Sequence, residues 1–372
     1  MVRRFNVIPR EYLLLAALVA VIVVFFSATT FAARAYHRKQ EQFGAMWYER
    51  GQGALRQSRP ADAVLDFRNA LAYSRDNDEY RLRLAQALMA DHRSEEARSH
   101  LLALWEKQPG DGTLNLELAR LAATWKDTPQ AVRYYHAAIY GVWPEEPTSR
   151  RWQIRFELSK YLLERDTPAD TKAAQAELVA LAGVLPPQDA DLQMQLGTLF
   201  VRANLYPRAL TAFQAALAER PNFMPALEAA SETAFHLGDY SVARNYLLPI
   251  VTQKPKDEHF LELLNLSELV MKLDPSERGL SSQEQARRAA KDIHIATARA
   301  QKCAPADTGV AMLVAQAKDL QRTERTLASN PEALRKTMDL AFRLEKASAS
   351  CAPASLEDKA LGLVAQPQEV PR

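Results

Sequence analysis

Two cysteines are the residues of this chain with the clearest reactive chemistry. Cys303 and Cys351 are the only cysteines among 372 residues, and each is followed by Ala-Pro. The residues between them predict helices over about 306–328 and 331–349, separated by Ser329-Asn330-Pro331. Two antiparallel helices of similar length would return the chain to its starting level and bring the thiols together. The sequence therefore predicts a disulfide, which persists in an oxidising compartment, with two unpaired helix-end thiols as the alternative.

Other residue sets that carry out chemistry are missing from the sequence. The phosphate-binding patterns GxxxxGK and GxGxxG are absent, as are the GxSxG nucleophile turn and the HExxH zinc helix. A turn predicted at 91–94 separates His92 from His100, so they do not form a metal pair on one helix. We therefore expect no enzymatic activity, no cofactor, no metal site and no small-molecule substrate. A net charge of +2, without a basic run containing aromatics, also argues against nucleic acid.

The residues that recur along the chain are small or apolar, and they mark a repeated unit. Six alanines stand 34, 34, 43, 35 and 34 residues apart: Ala63, Ala97, Ala131, Ala174, Ala209 and Ala243. A period of about 34 residues is typical of stacked helix-turn-helix units. The six corresponding segments are 44–77, 78–111, 112–145, 152–188, 190–223 and 224–257, with a spacer at 146–151.

Other positions keep the register of these alanines. Four residues after each alanine stands a large apolar residue: Phe67, Leu101, Tyr135, Leu178, Phe213 and Leu247. Twelve residues before it, or slightly more in the longer fourth segment, stands a small one: Gly51, Ala85, Ala119, Ser159, Gly197 and Ser231. The small residue is expected to let the two helices of a pair approach closely. Proline ends four of the units, at Pro109, Pro186, Pro221 and Pro255.

This pattern resembles the tetratricopeptide repeat family, whose consensus reads Trp, Leu-Gly, Tyr, Ala, Phe, Ala, Pro over one helical hairpin. The first segment matches it at Trp47, Gly51, Ala63, Phe67 and Ala70. The fifth matches it at Leu196-Gly197, Phe200, Ala209, Phe213, Ala216 and Pro221. The resemblance covers about residues 44–257 and implies an all-α solenoid of stacked helical hairpins.

The resemblance also implies a binding surface. In this family the exposed face of the first helix of each hairpin lines a concave surface that holds protein or peptide partners. The corresponding positions here are Tyr48, Gln52, Arg56, Leu82, Arg83, Gln86, Met89, Leu116, Glu117, Arg120, Phe156, Lys160, Met194, Gln195, Arg202, Glu228, Glu232 and His236. The paired lysines and asparagines with which some members grip a terminal carboxylate are not found, so binding of chaperone tails is not expected.

The N-terminal region predicts a membrane span. Residues 12–33 carry no charge, and at about 1.5 Å per residue they are long enough to cross a bilayer core of about 30 Å. Residues 1–11 would then be a short cytoplasmic N-terminus, and 34–43 a polar linker to the first repeat. The alternative is a cleavable signal peptide, with a poor cleavage site at Ala33-Arg34-Ala35.

Charge does not settle the orientation of this span, because three basic residues lie on either side of it. The predicted disulfide favours export. We therefore expect a single-pass protein of the bacterial inner membrane with a periplasmic repeat domain. It would recruit protein partners of unknown identity for envelope assembly, secretion or polysaccharide export. The alternatives are a cytoplasm-facing adaptor for a membrane enzyme and, less favoured, an enzyme with an unrecognised site in 258–364.

Beyond residue 257 the regular repeat fades. Residues 258–302 are interpreted as a degenerate seventh helical pair, whose second helix opens at a capping box from Ser281 to Glu284. Residues 306–349 would form a C-terminal capping hairpin, since repeat arrays need an atypical polar end. Residues 365–372 are expected to be a disordered tail.

Overall fold

A computed structural model describes residues 10–144, 147–303, 307–319, 324–350 and 353–366. Within these ranges the regular secondary structure is α-helical, apart from one isolated β-bridge between Asp111 and Val142. The chain divides into two compact units, residues 1–158 and 159–372, and the division falls within helix α7. The predicted all-α fold is confirmed.

The N-terminal unit begins with one long helix. Its elements are α1 (Arg10–Arg56), α2 (Pro60–Tyr73), α3 (Asp78–Ala90), α4 (Ser94–Trp105), α5 (Gly112–Thr124), α6 (Thr128–Tyr140) and the first part of α7 (Pro147–Glu164). The apolar segment and the predicted linker at 34–43 are both part of α1, which continues without interruption into the first repeat. Helix α1 is the one helix among the described residues that is long and apolar enough to cross a membrane.

The C-terminal unit contains the later repeats and a terminal bundle. Its helices are α8 (Pro168–Ala182), α9 (Ala190–Arg202), α10 (Tyr206–Glu219), α11 (Met224–His236), α12 (Tyr240–Gln253), α13 (Glu258–Leu273), α14 (Ser282–Gln301), α15 (Thr308–Asp319), α16 (Glu324–Ser329), α17 (Pro331–Ser348) and α18 (Leu356–Val364). Helix α18, which the sequence analysis did not predict, packs on α13, α14 and α17.

The recurring residues form the contact between the two helices of each pair. All six marker alanines are completely buried, and the large apolar residue four positions later is at most 2% exposed in every unit. A Cβ built on Gly51 would lie 2.8 Å from the Phe67 ring, and one on Gly197 would collide with the Phe213 ring. Glycine therefore stands where the facing residue is phenylalanine, because an alanine methyl would occupy the space of the ring.

The turn inside each helical pair has a residue with positive φ at the same place. These residues are Ser58, His92, Lys126, Asp166, Asn204 and Gly238, with φ between 50° and 74°. Five of the six carry a side chain, although the left-handed region costs about 1–2 kcal/mol for such residues. The tight turn is therefore imposed by the packing of the two helices and not by glycine.

The helices after α12 differ from the predicted arrangement. Helices α13 and α14 were expected to form a pair, but α13 packs mainly on α12 and α18, and α14 mainly on α17. The predicted capping box is half formed, since the Ser281 hydroxyl accepts a hydrogen bond from the Glu284 N–H at 3.2 Å. The described helices after α13 thus form a bundle around α14, and α18 packs on it; that this bundle caps the repeats stays a prediction.

Candidate functional site

A connected set of polar side chains runs across the first helices of the repeats in the N-terminal unit. We call this set the polar ladder; it consists of Tyr48 on α1, Glu79, Arg83 and Gln86 on α3, Glu117 and Arg120 on α5, and Glu157 on α7. Five of these seven were among the predicted concave residues; Glu79 and Glu157 were not. The predicted positions follow from the repeat register within each helix, whereas the ladder is made of contacts between helices.

The first part of the ladder joins α1 to α3. The Tyr48 hydroxyl donates to Glu79 Oε1 at 3.0 Å, and Arg83 Nε donates to the same oxygen at 2.9 Å. Arg83 Nη1 also donates to Gln86 Oε1 at 3.0 Å. The Tyr48 ring stacks on Tyr80, with ring centroids 4.8 Å apart. This end of the ladder is therefore held by one charged pair and one aromatic pair.

The second part joins α3 to α5 and α7. Gln86 Nε2 donates to Glu117 Oε1 at 2.8 Å, and Arg120 Nη1 lies 3.4 Å from that same oxygen. Arg120 Nε and Nη2 donate to the two carboxylate oxygens of Glu157, each at 2.8 Å. Glu157 Oε1 also accepts from the Tyr135 hydroxyl at 2.9 Å. Arg120 thus bridges two carboxylates on two helices through a bidentate pair.

The charges of the ladder stabilise one another. Hydrogen bonding to Glu157 raises the pKa of Arg120 against the opposing effect of burial, and Glu117 contributes in the same direction. Burial opposes the charge on Arg83, but the hydrogen bonds to Tyr48 and Glu79 outweigh it and raise the pKa of Arg83. Both arginines therefore stay protonated and act as fixed cations, not as proton donors for catalysis.

These contacts separate two roles among the predicted residues. Glu117 is 6% exposed, and Leu116 and Phe156 are 8% and 6% exposed, so these three belong to the interior and do not offer a face to a partner. The side chains of Arg83 and Glu79 are 39% and 49% exposed, which leaves them accessible. Half-buried or exposed positions on the predicted face also include Gln52, Arg56, Leu82, Met89 and Lys160.

Two segments of this chain match models of the same family. Residues 54–121 and residues 194–258 each match a model described as Tetratricopeptide repeat. These two segments are tetratricopeptide repeats. The first matched segment includes Arg83, Gln86 and Glu117, so much of the polar ladder lies on assigned repeats.

Several solved structures, among them a tetratricopeptide repeat protein, are similar to this chain at low identity. YrrB, described as having an unusual peptide-binding site, is 16% identical, with a TM-score of 0.39 over 52% of this chain and 95% of its own. PilF of Pseudomonas aeruginosa is 13% identical, with a TM-score of 0.41 over 60% of this chain and 97% of its own. PilW, a type IV pilus biogenesis factor, is 16% identical, with a TM-score of 0.42 over 60% and 99%. A search of curated protein sequences returns no significant match.

In the C-terminal unit the predicted residues form separate pairs. Glu232 Oε1 lies 3.0 Å from His259 Nε2, and the His236 ring packs on Tyr206 with centroids 3.9 Å apart. Glu228 is paired with Lys254. The remaining predicted positions, Met194, Gln195 and Arg202, are half-buried or exposed on α9.

One of the two ladder partners that the sequence analysis missed has a signal in its spacing. Tyr48 and Glu79 are 31 residues apart, as are Gln86 and Glu117. Other pairs between repeats have similar separations, including Lys107 with Asp78 at 29 and Arg220 with Asp191 at 29. A search for complementary polar residues slightly less than one repeat apart would have found Glu79 but not Glu157, which lies 37 residues from Arg120.

The structure describes only one of the two cysteines that were predicted to form a disulfide. Cys303 is 3% exposed and is a disulfide-bonded cysteine at the end of α14. Cys351 lies outside the described residues, so the pairing of the two stays a prediction. Among the described residues, no group of three or more His, Cys, Asp or Glu side chains is arranged to hold a metal ion.

Proposed function

We propose that this chain is a membrane-anchored scaffold that holds other proteins on its repeats, and that the repeats face the periplasm. Its work would be the recruitment of partners for envelope assembly, secretion or polysaccharide export, without catalysis. Tetratricopeptide repeats are protein-interaction modules, and the accessible residues of the polar ladder provide a polar surface for such contacts.

One observation carries the membrane part of this proposal. The large apolar side chains from Leu18 to Phe31 keep 51–75% of their surface exposed, and none of the apolar window of α1 is buried in protein. Exposing a continuous apolar helix to water is costly, and a bilayer would cover this length of helix. Such a helix lies in lipid in an anchored protein, or is removed as part of a signal sequence.

The orientation proposal depends on the cysteines. Cys303 is buried beside the bundle core, and a disulfide there persists in an oxidising compartment such as the periplasm. We expect the endogenous chain to migrate differently on reducing and non-reducing gels of an envelope extract. Equal mobility, with both thiols freely alkylated, would remove the argument for export.

Protease access tests anchoring and orientation together. In spheroplasts, an added protease should degrade the repeats while the chain resists extraction by alkaline carbonate. Protection from the protease, with digestion only after lysis, would instead support an adaptor that faces the cytoplasm. A mature chain that begins after residue 35, found by intact-mass measurement, would show that the apolar segment is a cleaved signal and would end the anchoring proposal.

A further inference from the structure

We infer that helix α1 fixes the rotation of the first repeat relative to the membrane span, and that the surface around the polar ladder serves a membrane protein that also contacts this span. This inference rests on the proposed membrane anchoring. It goes further in naming the kind of partner, a membrane protein beside the anchor, and excludes a partner that diffuses freely in solution.

The connection between the apolar segment and the repeat is a continuous helix. Between Arg10 and Phe43 the sequence contains neither glycine nor proline, and α1 runs through this whole stretch. The segment predicted as a linker is supported by a hydrogen bond between side chains one turn apart, from Gln40 Nε2 to the Tyr36 hydroxyl at 2.7 Å. A helical connector of this kind is a semi-rigid spacer, whereas a glycine-rich or serine-rich one is a flexible coil.

The other end of α1 cannot rotate independently of the first repeat. Gly44 and Gly51 are buried, and Gly51 lies against the Phe67 ring of α2. Ala54 is 3% exposed, and the Phe43 ring packs on Tyr73 with centroids 5.5 Å apart. Turning α1 about its axis would therefore break the contact between the two helices of the first pair.

The continuity of α1 sets both the height of the polar ladder above the apolar segment and the direction in which the ladder faces. Tyr48, where the ladder begins, follows Phe31 by 17 residues, which corresponds to a rise of about 25 Å along the helix axis. Each residue also turns the helix by about 100°. The ladder therefore stands at one height and points in one direction relative to the span, within the tilt that the bilayer allows.

The kind of partner follows from the entropy of binding. Association costs free energy because the partners lose translational, rotational and side-chain freedom, and preorganisation reduces that cost. A partner in solution can approach the ladder from any side, so a fixed direction does not help its binding. A membrane protein that contacts the span presents its second site at one height and in one direction relative to that span, so a rigid helix fixes both the height and the rotation of the ladder before binding.

Alanine insertions after Lys39 test this inference, because rotation and height change differently. Two alanines turn the repeat by about 200° and raise it by about 3 Å. Four turn it by about 40° and raise it by about 6 Å, and five turn it by about 140° and raise it by about 7.5 Å. The full-length chain would carry the photoreactive residue benzoylphenylalanine in place of Gln52, which lies one turn after Tyr48, and would be irradiated in native membranes.

A pattern that is not monotonic supports the inference. We expect the yield of cross-linked product with four alanines to stay within about twofold of the parent, while two and five alanines lower it at least about fivefold. Equal yields in all three would show a partner indifferent to direction, as a soluble protein would be. A steady decline from two to four to five would show that only height matters. Either result overturns the inference.

Two controls separate this test from the anchoring proposal. Every insertion variant is first tested for resistance to carbonate extraction, and loss of resistance in the parent chain would contradict the anchor itself. Replacing residues 36–42 with seven Gly-Ser residues preserves the chain length but removes the helix. We expect that variant to remain in the membrane and to lose cross-linking at least about threefold. Full cross-linking through the flexible linker would contradict the inference while leaving the anchor in place.

Discussion

The N-terminal unit and the bundle around α14 place their charges in opposite ways. In the N-terminal unit the charged pairs of the ladder stay at least partly on the surface: Arg83 and Glu79 are 39% and 49% exposed, and the buried Glu117 is paired with Arg120, whose side chain is 43% exposed. The bundle also contains a charged pair in which both side chains are buried. The Arg299 and Glu345 side chains form an ion pair at 5% and 12% exposure, and Asp292 is completely buried.

The two regions therefore differ in the changes of charged side chains that they can tolerate. A partly exposed pair is screened by water and contributes little, whereas a buried charge must be matched or it costs several kcal/mol. Asp292 has no hydrogen-bond partner at either carboxylate oxygen. The repeats can therefore exchange their surface charges to suit a partner, while the bundle depends on particular charge pairs and on the protonation of one acid.

The largest expected effect comes from breaking the buried pair. Glu345→Leu removes the carboxylate beside buried Arg299 and should lower the free energy of unfolding by about 3–5 kcal/mol. The double variant Arg299→Met with Glu345→Leu should recover most of that loss, because no buried charge is left behind. Urea unfolding followed by circular dichroism measures both. The matched control is Glu332→Ala, which removes an exposed pair with Lys336 and should cost less than about 0.5 kcal/mol.

The second prediction concerns the protonation of Asp292. Burial raises the pKa of its carboxyl to about 8; Asp274 acts in the same direction, and Lys291 and Arg288 oppose it. The folded chain therefore keeps a proton that the unfolded chain releases above about pH 4. The protonated Asp292 carboxyl therefore contributes its full stabilisation below about pH 4, and this contribution is lost as the pH rises towards 8.

Asp292→Asn removes this dependence. Between pH 5 and pH 7 the wild-type chain should lose about 3 kcal/mol of stability through this group, and the asparagine variant should show a nearly flat profile. Urea unfolding at pH 5, 6 and 7 makes the comparison. Parallel profiles for the two chains would show that Asp292 is ionised in the folded bundle.

The third prediction tests size matching within a repeat. Gly51→Ala places a methyl group 2.8 Å from the Phe67 ring and should cost about 1–2 kcal/mol, despite the better helix propensity of alanine. Adding Phe67→Leu should restore packing, because Ala85 and Leu101 occupy the same two positions in the second repeat. A double-mutant cycle in urea should give a favourable coupling of about 1 kcal/mol. Additive losses of stability would mean that the side chain at one position does not limit the size of the side chain at the other.

The smallest effect is expected at the turns. Lys126→Gly relieves the strain of positive φ and should stabilise the chain by about 0.5 kcal/mol, after the entropy of the unfolded state is included. Gly238→Ala, at the equivalent turn, should destabilise it by about 1 kcal/mol. The test is whether the two substitutions shift the urea midpoint in opposite directions. Two changes of the same sign would indicate that the turns are not strained in this way.

The repeats could be predicted from the sequence because their determinants are local and recur. Ala63, Phe67 and Gly51 appear at fixed offsets from one another, and buried helix contacts require that register. The positive-φ turns were missed, although they also recur, because residues such as Lys126 and His92 give no glycine signal. The helical continuity of 34–43 was missed because polar composition suggested a linker, although nothing in that segment breaks a helix.

The bundle was harder to predict, since its partners are distant in sequence. Helix α18 packs on α13, and Lys359 pairs with Glu262 at 2.5 Å, 97 residues away. The polar ladder also depends on partners that are separated in sequence, although the separations are shorter. Glu157 looks like any exposed helix glutamate until α5 brings Arg120 within 2.8 Å of it.

The sequence by itself determined the helical repeats, their spacing and the apolar segment, because each depends on residue types at short, regular intervals. Only the tertiary structure decided which charges pair, which acid is buried without a partner and how α1 joins the first repeat. Those features depend on desolvation and on distances between helices, which are set once the whole unit has packed.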